Sequence, residues 1–243
     1  MLRALKQGVR WTVNRFGYDI TPVSIKGNGY IDCAQTVSAA SAKGMSVREY
    51  VEEMWNIPGR TDRTIEQMRK AGSLVHCKRV CEIGPGTGVY LERVIEQVSP
   101  EVYDVYETAD DWASWITQTY GERIVRQPAD GHTLRQTPSG SAGLVHAHSV
   151  FVYLKLLHAF EYFTEMTRIC LDKGYIVFDF FSEETFPVEV VNRWLESSDR
   201  YPVVLPYGTV LRFFEGKGFQ LVHQFTEKCG PSSCQYVVLK KTG

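Results

Sequence analysis

Three groups of residues in this sequence have types and spacings that could do chemistry. Gly84, Gly86 and Gly88 follow the acid Glu82 in the run Arg79-Val80-Cys81-Glu82-Ile83-Gly84-Pro85-Gly86-Thr87-Gly88-Val89-Tyr90-Leu91. Glycines here let backbone N–H groups and a helix N-terminus come close to a ligand, because a side chain would fill the gap. Glu107 ends the β-prone run Val102–Glu107, roughly 20 residues beyond Gly88, the separation expected of an acid that hydrogen-bonds ribose hydroxyls. His146 and His148 end a third apolar run, Gly143–His148, and offer imidazoles that can accept a proton near neutral pH.

The glycine turn discriminates among nucleotide ligands. A dinucleotide fingerprint needs a third small residue where this chain has Val89, and a carboxylate at the strand end would repel a pyrophosphate. A ligand with an ammonium group, a neutral ribose and no phosphate suits Glu82 better. S-adenosylmethionine is the common molecule of that description.

On these residues the chain resembles the class I S-adenosylmethionine-dependent methyltransferases, whose first motif is an acid followed by GxGxG. The resemblance covers about residues 76 to 242. It implies that Glu82 lies by the methionine end of the cofactor, that Gly84, Gly86 and Gly88 pass under it, and that Asp130, after the third strand, faces the adenine amino group. The pair Asp130-Gly131 also suits a turn, and Glu107 also suits a solvated helix start. More narrowly, Tyr106–Trp112, Asp130–Leu134 and Val145–Phe151 look like actinobacterial methyltransferases that modify sugar hydroxyls, including those of methylated mannose polysaccharides.

Those residues need elements to position them. From residue 78 strand and helix signals alternate, as in a doubly wound parallel sheet. Helices are expected over Thr87–Val98, Ala109–Tyr120, 155–172 and Thr209–Gly216, with strands at 122–127, Gly143–His148 and Tyr175–Phe181. Phe219–Phe225 and Gln235–Lys240, joined by the turn 229–233, form an antiparallel hairpin at the sheet edge. The expected fold is therefore a Rossmann-like α/β methyltransferase sheet of seven strands. Ligands of such sheets bind outside the carboxyl ends of the strands, which puts His148 at the methyl-transfer end. Period two places Leu144, His146 and His148 on one face.

Residues 1–75 read as a helical cap and 76–243 as the catalytic domain, with an insertion near 185–208 over the site. In the cap, Ser46 and Glu49 form a capping box opening a helix through about Trp55. Thr61 or Thr64 starts another that Gly72 ends. Residues 21–45 look like a loose connection. Residues 2–16 place Leu2, Leu5, Val9, Val13 and Phe16 at helical spacing beside Arg3, Lys6, Arg10 and Arg15. This basic amphipathic helix suits either peripheral membrane contact or packing on the domain or across a homodimer.

Composition narrows the partners. With 243 residues, 27 Lys+Arg against 28 Asp+Glu and a net charge of −1, the chain carries no overall electrostatic footprint for nucleic acid. Its six cysteines form no CxxC, as expected of buried thiols in a reducing compartment. No run approaches the ~18–20 apolar residues of a membrane span, so a cytoplasmic enzyme with a small-molecule or oligosaccharide acceptor is expected. A sugar hydroxyl needs a base or a metal to become nucleophilic. His148 is the expected base, with His146 or Glu183 orienting its ring or binding the sugar. A divalent ion such as magnesium, held by His148, Asp130 or Glu183, is compatible, although no spacing signals a metal motif. Three alternatives stay open: a lipid quinone or polyketide acceptor, a base N-methyltransferase, weakened because no Asn-Pro-Pro-Tyr follows the fourth strand, and a non-catalytic module binding the cofactor or an NAD-like ligand.

Overall fold

The computed structural model describes residues 30–196 and 202–243. The predicted amphipathic helix at 2–16, and Tyr201 of the predicted insertion, lie outside the described residues.

Among the described residues three helices precede the sheet: α1 (Cys33–Ala42), α2 (Val47–Met54) and α3 (Arg60–Lys70). The stretch expected to be a loose connection thus contains α1. Its Ser/Ala-rich sequence hides the signal, but Asp32 caps the helix by accepting the Gln35 N–H, and Trp112 donates from Nε1 to Ile31 O at 2.8 Å. The predicted Ser46/Glu49 capping box opens α2. Gly72, at φ 73°, follows the end of α3.

The sheet begins with β1 (Arg79–Ile83) and continues through α4 (Val89–Val98), β2 (Val102–Tyr106), α5 (Asp110–Tyr120), β3 (Val125–Arg126) and β4 (Ala142–Ala147). Next come α6 (Leu156–Ile169), β5 (Cys170–Phe180), α7 (Val188–Glu196), α8 (Tyr207–Glu215), β6 (Phe219–Cys229) and β7 (Ser232–Lys241). Strand order is β3-β2-β1-β4-β5-β7-β6, parallel through β5, with β7 antiparallel to both its neighbours. The seven strands and terminal antiparallel pair are those expected. The hairpin is longer than predicted, because alternation continues through the polar Thr226–Lys228 on the half-exposed edge strand. The third strand is shorter, only Val125–Arg126.

The two sheet faces carry different layers. Ile65 and Met68 of α3, Leu91 and Val94 of α4 and Ile116 of α5 pack with Val80, Tyr103, Leu144 and Val177. Phe163 and Met166 of α6 and Phe214 of α8 pack on the other face with Val145, Ile176 and Phe178. In the predicted insertion, Val190 and Trp194 of α7 cluster with Val152, Phe181 and Tyr236. Its far arm returns beside the sheet, with Val203 donating to Val152 O and Leu205 to Phe181 O. All six cysteines are free, five of them buried. No helix among the described residues is long and apolar enough to cross a membrane.

One cap contact positions the site directly. Glu52, buried at the C-terminal end of α2, accepts the Gly59 N–H at 2.6 Å and the Thr61 N–H at 2.9 Å, satisfying donors at the start of α3 that have no partner within the helix. Hydrogen bonds to charged groups contribute about 1.5–3 kcal/mol. Glu52→Ala is therefore expected to lower stability by about 2–3 kcal/mol, read as a reduced urea midpoint at unchanged slope; an unshifted midpoint would show that α3 holds its place without this cap.

Candidate functional site

Parallel register builds the site. Glu82 of β1 pairs with His146 of β4, and Asp179 of β5 pairs with Tyr236 of β7. His148 lies one residue past β4, on the His146 face, so the polar side chains form two neighbouring rows where the strands end.

The lower row is a continuous hydrogen-bonded chain. Glu82 Oε2 and Tyr103 OH are 2.8 Å apart, Tyr103 OH and His146 Nε2 are 2.8 Å apart, and His146 Nδ1 and His148 Nε2 are 3.1 Å apart. Every member is buried, Glu82 to 1% exposure and His148 to 7%. The chain ends at His148 Nδ1, a buried atom without a hydrogen-bond partner, in a ring stacked on Tyr90 at 3.7 Å between centroids.

Burial sets the protonation of this row, because taking a charge out of water disfavours the charged form. It pushes Glu82 up to about 8 and His146 down to about 3. His148 falls well below the ordinary imidazole value through burial, then through His146 and the Arg60 guanidinium. Both rings are neutral at pH 7, and the proton of lowest cost resides on Glu82.

The upper row belongs to Arg60, Asp179, Ser149 and Tyr236. Arg60 reaches from the first turn of α3 and donates from Nη2 to Asp179 Oδ2, Ser149 Oγ and Tyr236 OH, each at 3.2 Å. Asp179 Oδ1 accepts the Ser149 N–H at 2.6 Å. Ser149 is in the left-handed region at φ 57°, a conformation that persists where surrounding bonds determine it. The pair from α3 and β5 thus fixes the chain reversal immediately after His148.

The glycine turn and Glu107 meet across β1 and β2. Gly84, Gly86 and Gly88 have φ of 60°, 51° and 71°. Cβ atoms at Gly84 and Gly88 would meet Val150 at 2.7 Å and Tyr120 at 3.2 Å, whereas one at Gly86 would point into open space, meeting nothing nearer than Gly84 O at 4.0 Å. Gly86 donates its N–H to Glu107 Oε2 at 2.8 Å, and Ala109 donates to Oε1 at 2.8 Å. Burial raises the Glu107 carboxyl, opposed by these backbone donors. Beside it opens a cleft of about 440 Å³ lined by Glu107, Thr108, Asp110, Arg126, Gln127 and Ala129 among others. A carboxylate next to an open glycine turn and a polar cleft fits a nucleoside whose ribose meets Glu107.

Several predicted residues stand elsewhere. Glu82 points to the helix-covered face between Tyr103 and His146, so its carboxyl anchors the buried chain rather than the cleft wall. Asp130 is exposed and accepts the His132 and Thr133 N–H groups and the Thr133 hydroxyl, which hold its carboxyl down to about 2. The turn-forming role is the one its contacts fill. Glu183 is exposed and accepts the Tyr207 N–H at 2.7 Å, capping α8. It makes no hydrogen bond to His148, whose Nε2 meets His146 and whose Nδ1 has no partner. Asp104, inside β2, is buried by bonds to Arg79, Gln127 and Thr137. His148, Asp130 and Glu183, the trial ligands for a divalent ion, do not come together.

Sequence reading missed Arg60, Tyr103, Asp179, Ser149 and Tyr236. A signal existed for Asp179, an acid inside the apolar run Tyr175–Phe181. Period two with parallel register sets Asp179 beside His148, and an ion there demands a partner. Arg60 had no comparable signal, since its reach depends on how α3 lies on the sheet.

No protein-family model and no curated protein matches this chain. Solved structures do. The magnesium protoporphyrin IX methyltransferase of Synechocystis, with S-adenosylhomocysteine bound, superposes with a TM-score of 0.60 at 13% identity over 98% of this chain and 100% of that one. A putative sarcosine dimethylglycine methyltransferase from Galdieria sulphuraria gives 0.57 at 11% identity over 75% and 86%. The N-methyltransferase NodS from Bradyrhizobium japonicum, in complex with S-adenosylhomocysteine, gives 0.55 at 15% over 75% and 87%. The chain has the Rossmann-like fold of class I methyltransferases.

Proposed function

We propose that this protein is an S-adenosylmethionine-dependent O-methyltransferase that acts on a hydroxyl of a sugar or oligosaccharide. The observation that carries the reading is the coexistence, in this fold, of the cleft beside Glu107 with a buried proton-accepting chain that ends on an unpartnered histidine nitrogen. Neighbours crystallised with S-adenosylhomocysteine support the cofactor. Their named substrates range from a porphyrin to sarcosine, so the sugar acceptor rests on the sequence runs around Glu107, Asp130 and His148.

When bound, S-adenosylmethionine would supply a methyl group made electrophilic by its sulfonium. Gly86 would leave room for its nucleoside, and Glu107, held by the Gly86 and Ala109 N–H groups, would be the acid beside its ribose hydroxyls. The remaining requirement is alignment of the acceptor oxygen, exclusion of water and removal of the hydroxyl proton.

The buried chain can take that proton without leaving a charged imidazole behind. With Glu82 ionised, Tyr103 donates to Glu82, His146 Nε2–H to Tyr103, and His148 Nε2–H to His146 Nδ1, so His148 Nδ1 presents a lone pair. The acceptor O–H bond breaks as its proton joins Nδ1. Each remaining proton then moves one link, from His148 to His146, to Tyr103, to Glu82. The acceptor oxygen, relieved of its proton, would then be the nucleophile for the methyl group that S-adenosylmethionine would supply, with a methyl ether and S-adenosylhomocysteine as the products. A carboxylate raised by burial is a stronger terminal base than an ordinary one, and an imidazole flanked by Arg60 need not hold the charge.

Two measurements test this. His148→Ala should lower turnover about 10²–10⁴-fold, the usual contribution of a positioned base, with S-adenosylmethionine binding by calorimetry unchanged; near-normal turnover would remove His148 as base. For the pH dependence, Glu82 is ionised above its folded pKa of about 8. kcat/KM should therefore rise as pH increases towards about 8 and level beyond it, and Glu82→Gln should abolish that limb along with most of the activity. A flat profile from pH 6 to 9 in the parent would exclude the relay to Glu82. The acceptor class is read by incubating the enzyme and a whole-cell extract, glycans and lipids together, with S-adenosylmethionine labelled in its methyl group; label appearing only in lipid quinones would replace the sugar.

A further inference from the structure

We infer that His132, His158 and Glu161 form a binding site for a divalent transition-metal ion, zinc being the natural occupant. This site is separate from the buried histidine pair and does not depend on the proposed methyl transfer.

Helical spacing prepares two of the ligands. His158 and Glu161, three residues apart in the first two turns of α6, share one face. That face continues along the helix as Glu165 and Arg168, and it is the side on which the loop after β3 rests. Glu165 Oε2 accepts the Leu134 N–H at 2.9 Å, while Arg168 donates to Leu134 O at 2.9 Å and to Thr137 O at 3.1 Å. The third ligand comes from that anchored loop. His132 is held on its other side by Asp130, which accepts its N–H at 2.9 Å.

The donor atoms already converge. His132 Nδ1 and Glu161 Oε2 are 2.8 Å apart, and the His132 and His158 rings stand perpendicular with centroids 5.0 Å apart. One ligand atom from each of the three residues lies within 4.8 Å of the other two. A tetrahedral ion with bonds of about 2.0–2.2 Å sets its donors about 3.3–3.5 Å apart. The His132–Glu161 pair must open by about 0.5 Å to reach that spacing, and no separation need close by more than about 1.5 Å. Both adjustments are within the reach of side chains about half exposed, as His132 and Glu161 are at 46% and 53%.

Donor chemistry selects the ion. Two imidazole nitrogens and one carboxylate suit zinc, cobalt, nickel or copper, whereas magnesium and calcium prefer oxygen ligands and more of them. Three protein ligands leave a fourth position for water. Since Ala129, just before this loop, lines the cleft beside Glu107, an ion here would staple the cleft wall to α6.

The test is titration of the full-length protein with cobalt(II), followed by its visible d–d absorption, then displacement by zinc. One equivalent is expected to bind with a tetrahedral spectrum, and His132→Ala and His158→Ala should each weaken cobalt affinity tenfold or more. Because six cysteines also offer zinc ligands, the comparison between parent and variants decides the matter. Glu161→Gln, with its smaller perturbation, provides the same comparison should either histidine variant fold poorly. Equal affinity in the parent and the His132→Ala/His158→Ala double variant, or binding only at millimolar metal, would overturn the site.

Discussion

The pairing of β1 with β4 is the constraint on which the rest depends. It sets Glu82 opposite His146 on a face covered by α3 and α4, where water cannot satisfy either group. A buried polar group left without a partner costs about 1–3 kcal/mol, so four such groups in a row are tolerable only if each finds the next. A slip of one residue would turn all of β4 over, carrying Leu144 and both histidines to the other layer and stranding Glu82. The polar chain therefore specifies register as well as chemistry, and packing around Tyr103 and Tyr90 supports both at once.

The second row works differently, because it holds formal charge. Burying Arg60 against Asp179 gains less than their proximity suggests, since both ions lose hydration. Its structural effect lies in what the pair connects. Arg60 belongs to a helix that precedes the sheet in sequence, Asp179 to its fifth strand, and their shared partner Ser149 to the turn after His148. Glu52 in turn fixes the first residues of Arg60's helix. A path of hydrogen bonds thus runs from the N-terminal helices to the turn that sets the direction of His148, and the same guanidinium helps to keep that ring uncharged.

This division explains what could be read in the sequence. The cleft side is made of backbone and of one acid near it in the chain: glycines at 84, 86 and 88, Glu107 on the next strand, and N–H groups between them. Such features have fixed spacing, so residue order alone exposes them. The sheet was legible for the same reason, since strands and helices alternate with clear periodicity from Arg79 onward. What failed were elements whose signal is not periodic. Helix α1 is a run of small residues, set by its Asp32 cap and its position beside α5, and β3 is a two-residue pairing that propensity does not distinguish from loop. Asp130 and Glu183, by their places after strands, suited either a ligand or a local backbone donor, and here each accepts backbone N–H groups.

The two buried polar rows combine residues 60, 82, 90, 103, 146, 148, 179 and 236, which only the folded sheet assembles. Period two gave the shared face of the two histidines but not which side chains of the neighbouring strands meet them. Once the order β2-β1-β4-β5-β7 is known, the line Tyr103, Glu82, His146 and the line His148, Asp179, Tyr236 follow from parity and register without further information. Glu82 shows why that step matters. As a residue in a motif it is an acid beside a glycine turn, and the natural inference is a ligand contact. As a residue in a sheet it faces inward, and its raised proton affinity is a consequence of the same burial that removes it from the cleft. A carboxyl buried on that face is still coupled to His148, because Tyr103 and His146 span the distance with hydrogen bonds of 2.8 and 3.1 Å.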